Sequence, residues 1–133
     1  MRKLFMILSG MLLFMPLFAS ASMTQTDIDS LYVKPIVLSK KQHTFNIALP
    51  VDSTNGYKWF LVSPEYGYIN AVSFKHESVD IENSKWGGVD HFKFRTKREF
   101  EDVPQKIVLR FECFQPFKKN VNPITKKVVV LSG

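Results

Sequence analysis

Apolar and polar positions alternate with a period of two over most of this chain, the spacing that sends successive side chains to opposite faces of a strand. Phe45, Ile47 and Leu49 are separated by Asn46 and Ala48, which predicts a half-buried strand ended by Pro50. Tyr57 to Val62 reads as another, closed by Pro64. Ile69 to Phe74 predicts a further strand, followed by a polar connection from Lys75 to Lys85. Phe92 and Phe94 alternate with His91, Lys93 and Arg95. The clearest alternation sets Ile107, Leu109, Phe111 and Cys113 against Lys106, Val108, Arg110 and Glu112. Val33 to Leu38 is expected to be the first strand and Lys126 to Leu131 the last. Only Thr24 to Leu31 suits a short helix, with Thr24 or Thr26 as its cap, and the charged run Arg95 to Asp102 is expected to be a solvated turn. Short strands with turn signals between them and no long helix predict an all-β domain, an antiparallel β-sandwich or barrel.

The first residues belong to a different pattern. Met1-Arg2-Lys3, an apolar run from Leu4 to Phe18 and the small residues Ala19-Ser20-Ala21 form a signal peptide over residues 1–21. The run is too short for a membrane span and contains Pro16. Residues 22–133 are then one exported domain, periplasmic or secreted, with no membrane contact after cleavage and no Cys at the cleavage site to carry a lipid. The chain has 133 residues and a formal charge of +6, of which the leader takes Arg2 and Lys3. Charges of both signs are interspersed, and no Lys/Arg block marks a nucleic-acid partner. Cys113 is the single cysteine, so no internal disulfide forms and an apolar core must hold the domain. Of the 12 Phe the leader holds Phe5, Phe14 and Phe18, and the other nine, with 2 Trp and 4 Tyr, can supply that core.

Candidate catalytic groups are few. Cys113 stands in phase with Ile107, Leu109 and Phe111, so it reads as a small core residue rather than a nucleophile. His43, His76 and His91 are far apart, and none has zinc-motif spacing to Cys113 or to another His. Glu77, Asp80 and Glu82 accompany His76 in the polar connection and read as solvated charges. No glycine-rich phosphate loop opens a helix. Neither an enzymatic activity nor a metal or cofactor is expected.

Three interruptions of the strand pattern remain: Asp52-Ser53-Thr54-Asn55-Gly56-Tyr57, Lys85-Trp86-Gly87-Gly88-Val89-Asp90-His91 and Cys113-Phe114-Gln115-Pro116-Phe117. Each joins Gly or Pro to an aromatic. A turn needs Gly or Pro for its backbone but no large aromatic at its tip, so these read as stiff loops that press against a partner. Their order and spacing resemble the chagasin-type inhibitors of papain-like cysteine peptidases. The first loop of that family reads approximately Asn-Pro-Thr-Thr-Gly-Tyr followed by x-Trp, and Thr54, Gly56, Tyr57 and Trp59 match it. The second is a Gly-Gly turn before an aromatic-alternating strand, as in Trp86-Gly87-Gly88-Val89-Asp90-His91-Phe92. The third is Arg-Pro-Trp, of which only Pro116 is retained in Gln115-Pro116-Phe117.

The resemblance implies an immunoglobulin-like antiparallel β-sandwich with the three loops at one end, acting as a monomer that occludes the active-site cleft of a papain-like cysteine peptidase. It implies contacts from Thr54, Asn55, Gly56 and Tyr57, from Trp86, Gly87, Gly88, Val89 and Asp90, and from Gln115, Pro116 and Phe117, with Trp86 an exposed contact and Tyr57 chiefly an anchor of the loop base. Ser53 in place of Pro, Asn55 in place of Thr, Gln115 in place of Arg and Phe117 in place of Trp are departures that bear on affinity and target range. Two other readings stand beside it. One is an exported immunoglobulin-like module that binds another protein or a glycan through the same loops, and the other is a hydrolase that uses Cys113.

Overall fold

The computed structural model describes residues 23–62, 67–80, 86–119 and 121–133, so the signal peptide expected over 1–21 lies outside the described residues. The period-two segments form seven strands in two sheets, and the domain is an all-β sandwich. The strands are β1 (Ile36–Val37), β2 (Thr44–Asp52), β3 (Lys58–Leu61), β4 (Ile69–Ser78), β5 (Gly87–Thr96), β6 (Lys106–Phe114) and β7 (Ile124–Leu131). One sheet runs β1-β7-β6-β3 and the other β2-β5-β4. Pairing is antiparallel except between β1 and β7, which are parallel, a departure from the purely antiparallel sandwich expected. The chain between β1 and β7 passes through both sheets, far longer than the crossover that parallel pairing requires.

The alternation places one residue set between the sheets. Ile47, Leu49, Phe92 and Phe94 face Trp59, Leu109, Phe111, Val128 and Val130 in a single core. Phe111 lies across the sheet interface from Phe92 at 5.1 Å and Phe94 at 6.4 Å, both as inclined aromatic pairs. Full burial of such a side chain contributes about 1.5–3 kcal/mol, so this cluster replaces the absent disulfide.

Edges matter in a sandwich because unpaired backbone groups invite another chain. On β2, the residues whose N–H would point away from β5 include Ala48, Pro50 and Asp52. Ala48 N–H donates to the Tyr32 hydroxyl at 2.9 Å, Asp52 N–H lies 3.1 Å from Met23 Sδ, and Pro50 has no N–H to satisfy. This is why β2 runs through Pro50 instead of ending there: an edge strand tolerates proline on its open side. On β7, the Gln25 side chain donates to Thr125 C=O at 2.7 Å and accepts from Thr125 N–H at 2.9 Å, doing the work of a neighbouring strand. Gln25 belongs to α1 (Gln25–Asp29), which Thr24 caps through its hydroxyl as its position foretold.

Three boundaries differ from expectation. β4 continues past Phe74 to Ser78, because His91 hydrogen-bonds Glu77 across the strand pair at 2.8 Å and stabilises a polar strand that alternation cannot reveal. β5 begins at Gly87, so Gly87-Gly88 is strand, opposite Asp52 and Val51. The run 95–102 is not wholly solvated: Arg98–Asp102 forms α2, whose Phe100 is fully buried and whose Glu101 accepts from His43 and Thr96. Among the described residues no helix is long and apolar enough to cross a membrane.

Phe111→Ala should lower unfolding stability by about 3–5 kcal/mol, read from urea denaturation. Phe117→Ala, on an exposed ring, should change it by no more than about 0.5 kcal/mol.

Candidate functional site

The ends of β2 and β5 and of β3 and β6 meet at one end of the sandwich, since Asp52 pairs with Gly87 and Lys58 with Phe114. All three interrupted stretches therefore emerge together. The first is a folded unit in its own right. Asp52 is buried, and its carboxylate accepts from Asn55 N–H at 3.3 Å, Thr54 Oγ1 at 2.8 Å and Asn55 Nδ2 at 2.7 Å. These bonds wind Ser53–Asn55 into one 3-10 turn. Gly56 then takes φ +82°, the left-handed conformation that glycine adopts without a Cβ penalty, and its N–H bonds Ser53 C=O at 3.0 Å. Tyr57 N–H returns to Asp52 C=O at 3.1 Å and closes the loop. Thr54 and Asn55 stand exposed at the tip, while Tyr57 is half-buried against the core as the anchor of the loop base.

The third stretch is welded to the first. Gln115 turns inward and is 7 % exposed, and its Nε2 donates to Asn55 C=O at 2.8 Å. A tight turn closed by Lys118 N–H to Gln115 C=O at 3.0 Å carries Pro116 and Phe117 outward. Phe117 is 69 % exposed, yet one edge of its ring lies on Gly56, where a Cβ would sit 2.6 Å from Phe117 Cε1. A glycine is thus required at position 56 by φ, and the missing Cβ also leaves room for the Phe117 ring to rest there.

The second stretch is built differently. Trp86 is 7 % exposed and is part of the core cluster, which corrects the expectation that it is an exposed contact. Gly87 takes φ +85°. Gly88 faces inward, and a Cβ there would lie 2.7 Å from both Ser53 Oγ and His76 Cε1. Gly87 and Gly88 are buried, Val89 is half-buried, and Asp90 is 1 % exposed. This stretch buttresses the first loop from beneath, and among the described residues of the three stretches the exposed ones are Thr54, Asn55, Pro116 and Phe117.

Asp90 is the pivot of that buttress. Its Oδ2 accepts from the backbone N–H of Trp59 at 3.0 Å, and its Oδ1 accepts from His76 Nδ1 at 2.7 Å. Trp59 N–H points away from β6 at the edge of its sheet and would otherwise be buried without an acceptor. The Trp59 indole N–H donates to Pro50 C=O at 2.9 Å, so β3 is bound to the opposite sheet twice. In the sequence His76 stands in a polar connection among carboxylates that read as solvated charges. The signal for its role was present but faint, since His76 and Ser78 continue the inward phase of Phe74.

Cys113 is 1 % exposed. Burial, and then the negative charges of Asp90 and Asp52, push its thiol up to about 12. It stays protonated at neutral pH and offers no thiolate to a hydrolytic reaction. Among the described residues no group of three His, Cys, Asp or Glu side chains is placed to hold a metal ion. Comparison with protein-family models, with characterised proteins and with solved structures finds no match to this chain.

Asp90→Ala leaves Trp59 N–H and His76 without their acceptor, and should cost about 3 kcal/mol of stability in chemical denaturation, within the range for breaking a buried charged contact. Cys113 should resist alkylation by iodoacetamide at mildly alkaline pH in the folded protein and react promptly once unfolded. Because its folded value lies above the ordinary 9.0, the stabilisation from the neutral buried thiol should be complete below about pH 9 and fade as pH rises toward about 12. Unfolding curves taken across that window check the sign.

Proposed function

We propose that the domain is an exported, reversible, non-covalent inhibitor of papain-like cysteine peptidases, with Thr54-Asn55-Gly56 and Pro116-Phe117 as a single wedge that enters the target's cleft. The observation that carries this reading is the order and spacing of the three loops, in which Thr54, Gly56, Tyr57, Trp59, Gly87, Gly88 and Pro116 stand where the chagasin-type pattern has the same residues.

The geometry of the loops supports it physically. A wedge held by the Asp52 carboxylate, by the Gln115–Asn55 bond and by the Phe117–Gly56 contact has little conformational freedom left to lose on docking. Binding by a preorganised surface avoids much of the ordering cost that weakens flexible loops. Pro116 and exposed Phe117 add rigid apolar area at the rim, the composition typical of interface anchors. The wedge has two exposed elements, and Trp86 to Asp90 acts through them from beneath. The reaction needs no cofactor and no chemistry from the inhibitor: the peptidase is blocked because substrate and wedge compete for one cleft.

Mature protein titrated against papain should give stoichiometric, reversible loss of peptidase activity, and no inhibition at micromolar excess would sink the reading. Gly56→Trp, which must displace Phe117 and abandon the left-handed turn, should abolish inhibition while circular dichroism still reports the sandwich. Cys113→Ser should leave inhibition intact.

A further inference from the structure

We infer that the groove between β3 and β4, on the flank of the sandwich below the loop end, binds a small hydroxyaromatic acid. The groove exists because the two sheets are of unequal length at this edge. β4 has ten residues, whereas β3 has four. Phe74 pairs in register with inward-facing Phe92 and packs edge-on against it at 5.1 Å, yet it remains 42 % exposed. The cavity left there measures about 290 Å³. That is the lower end of the range for small-molecule sites, large enough for one aromatic ring with a short tail and too small for a nucleotide.

The walls specify the chemistry. Phe74 supplies an aromatic face, with Tyr57 and Pro116 on the loop side. His76 also lines the cavity, and its side chain is 36 % exposed. Its Nδ1–H donates to the Asp90 carboxylate at 2.7 Å, which engages one ring nitrogen and leaves Nε2 for a ligand. A ring nitrogen beside an apolar wall is a hydrogen-bond partner for a ligand hydroxyl. Lys58 closes the groove, with its Nζ 5.3 Å from the centroid of Phe74 and 5.8 Å from that of Phe60. An ammonium held over the aromatic wall offers a counter-charge to a carboxylate. Asp90, the other charged group on the cavity wall, already accepts from Trp59 N–H and His76 and is 1 % exposed, so it does not repel an anion as a free carboxylate would. A phenol ring carrying a short acid tail satisfies all three features: the ring on Phe74, the hydroxyl on His76 Nε2 and the carboxylate on Lys58. Ser53, Gly56, Tyr57 and Pro116 also line the cavity, so it adjoins the loop end, but the ligand class follows from the lining and does not rest on the peptidase reading.

The test uses the purified mature domain, isothermal titration and backbone amide NMR at neutral pH, with 4-hydroxyphenylacetate, phenylacetate and 4-hydroxyphenylethanol as probes. The hydroxy acid should bind saturably and shift the amides of Tyr57, Lys58, Phe74 and His76. Loss of either the hydroxyl or the carboxylate should weaken binding by about three- to tenfold, the effect of one hydrogen bond or charge contact. Lys58→Met should erase the preference for the acid over the alcohol, and His76→Phe the preference for the phenol over phenylacetate. The comparison of probes on the unaltered protein decides the matter even if a variant folds poorly. No saturable binding at millimolar probe, equal binding of all three, or shifts confined to other surfaces would each overturn the assignment.

Discussion

One buried carboxylate fixes the geometry of the functional end. Asp90 stands on the central strand of its sheet, bonded to His76 on one neighbouring strand and to the Trp59 backbone of the opposite sheet. A charge with 1 % exposure is tolerated only where donors replace its lost water, and here two donors do so. The requirement runs both ways. Trp59 N–H is a buried edge donor that needs an acceptor, and Asp90 is a buried acceptor that needs donors. Satisfying both sets the distance between the sheets at that end and so the separation of the strands from which the loops spring.

The loops follow from that frame. Asp52, buried three residue pairs nearer the loop end, repeats the device locally and folds Ser53 to Asn55 around its carboxylate. Gly88 lets Ser53 and His76 close over the same strand, and Gln115 brings the end of β6 against Asn55. Two buried aspartates and one buried glutamine thus convert three turns into a rigid surface. The same arrangement orients the His76 ring, so the flank groove and the loop end share one positioning group. The loops and the groove share β3, which supplies Trp59 N–H to Asp90 and Lys58 to the wall beside Phe74.

Much of the core was legible because its physics is local. Phe45, Ile47 and Leu49, and likewise Leu109, Phe111 and Cys113, face inward as period-two spacing requires, since each peptide turns the next side chain over. Thr24 caps α1 because capping depends on neighbouring residues. The misreadings arose where contacts come from afar. Pro50 ends a strand only if its missing N–H is needed, and the open side of β2 made that need vanish. Lys75 to Ser78 looks like a loop until His91 and the rest of β5 lie beside it. Trp86 sits next to two glycines, which suggests an exposed tip, yet Gly87 and Gly88 are strand residues and carry it into the core.

Alternation alone specified an all-β domain with one apolar core, the phase of Cys113 within it, and three interruptions of the strand pattern. Alternation and turn chemistry are short-range properties, written within a few residues. The tertiary structure alone decided which loop residues are surface and which are support. Asp90, Gln115 and Trp86 look in sequence like contacts at loop tips, but in the fold they are the buried fixtures that hold Thr54, Asn55, Pro116 and Phe117 outward. Whether a polar side chain faces water or a partner depends on donors and acceptors thirty to sixty positions away, and only the packing of one sheet on the other brings those together.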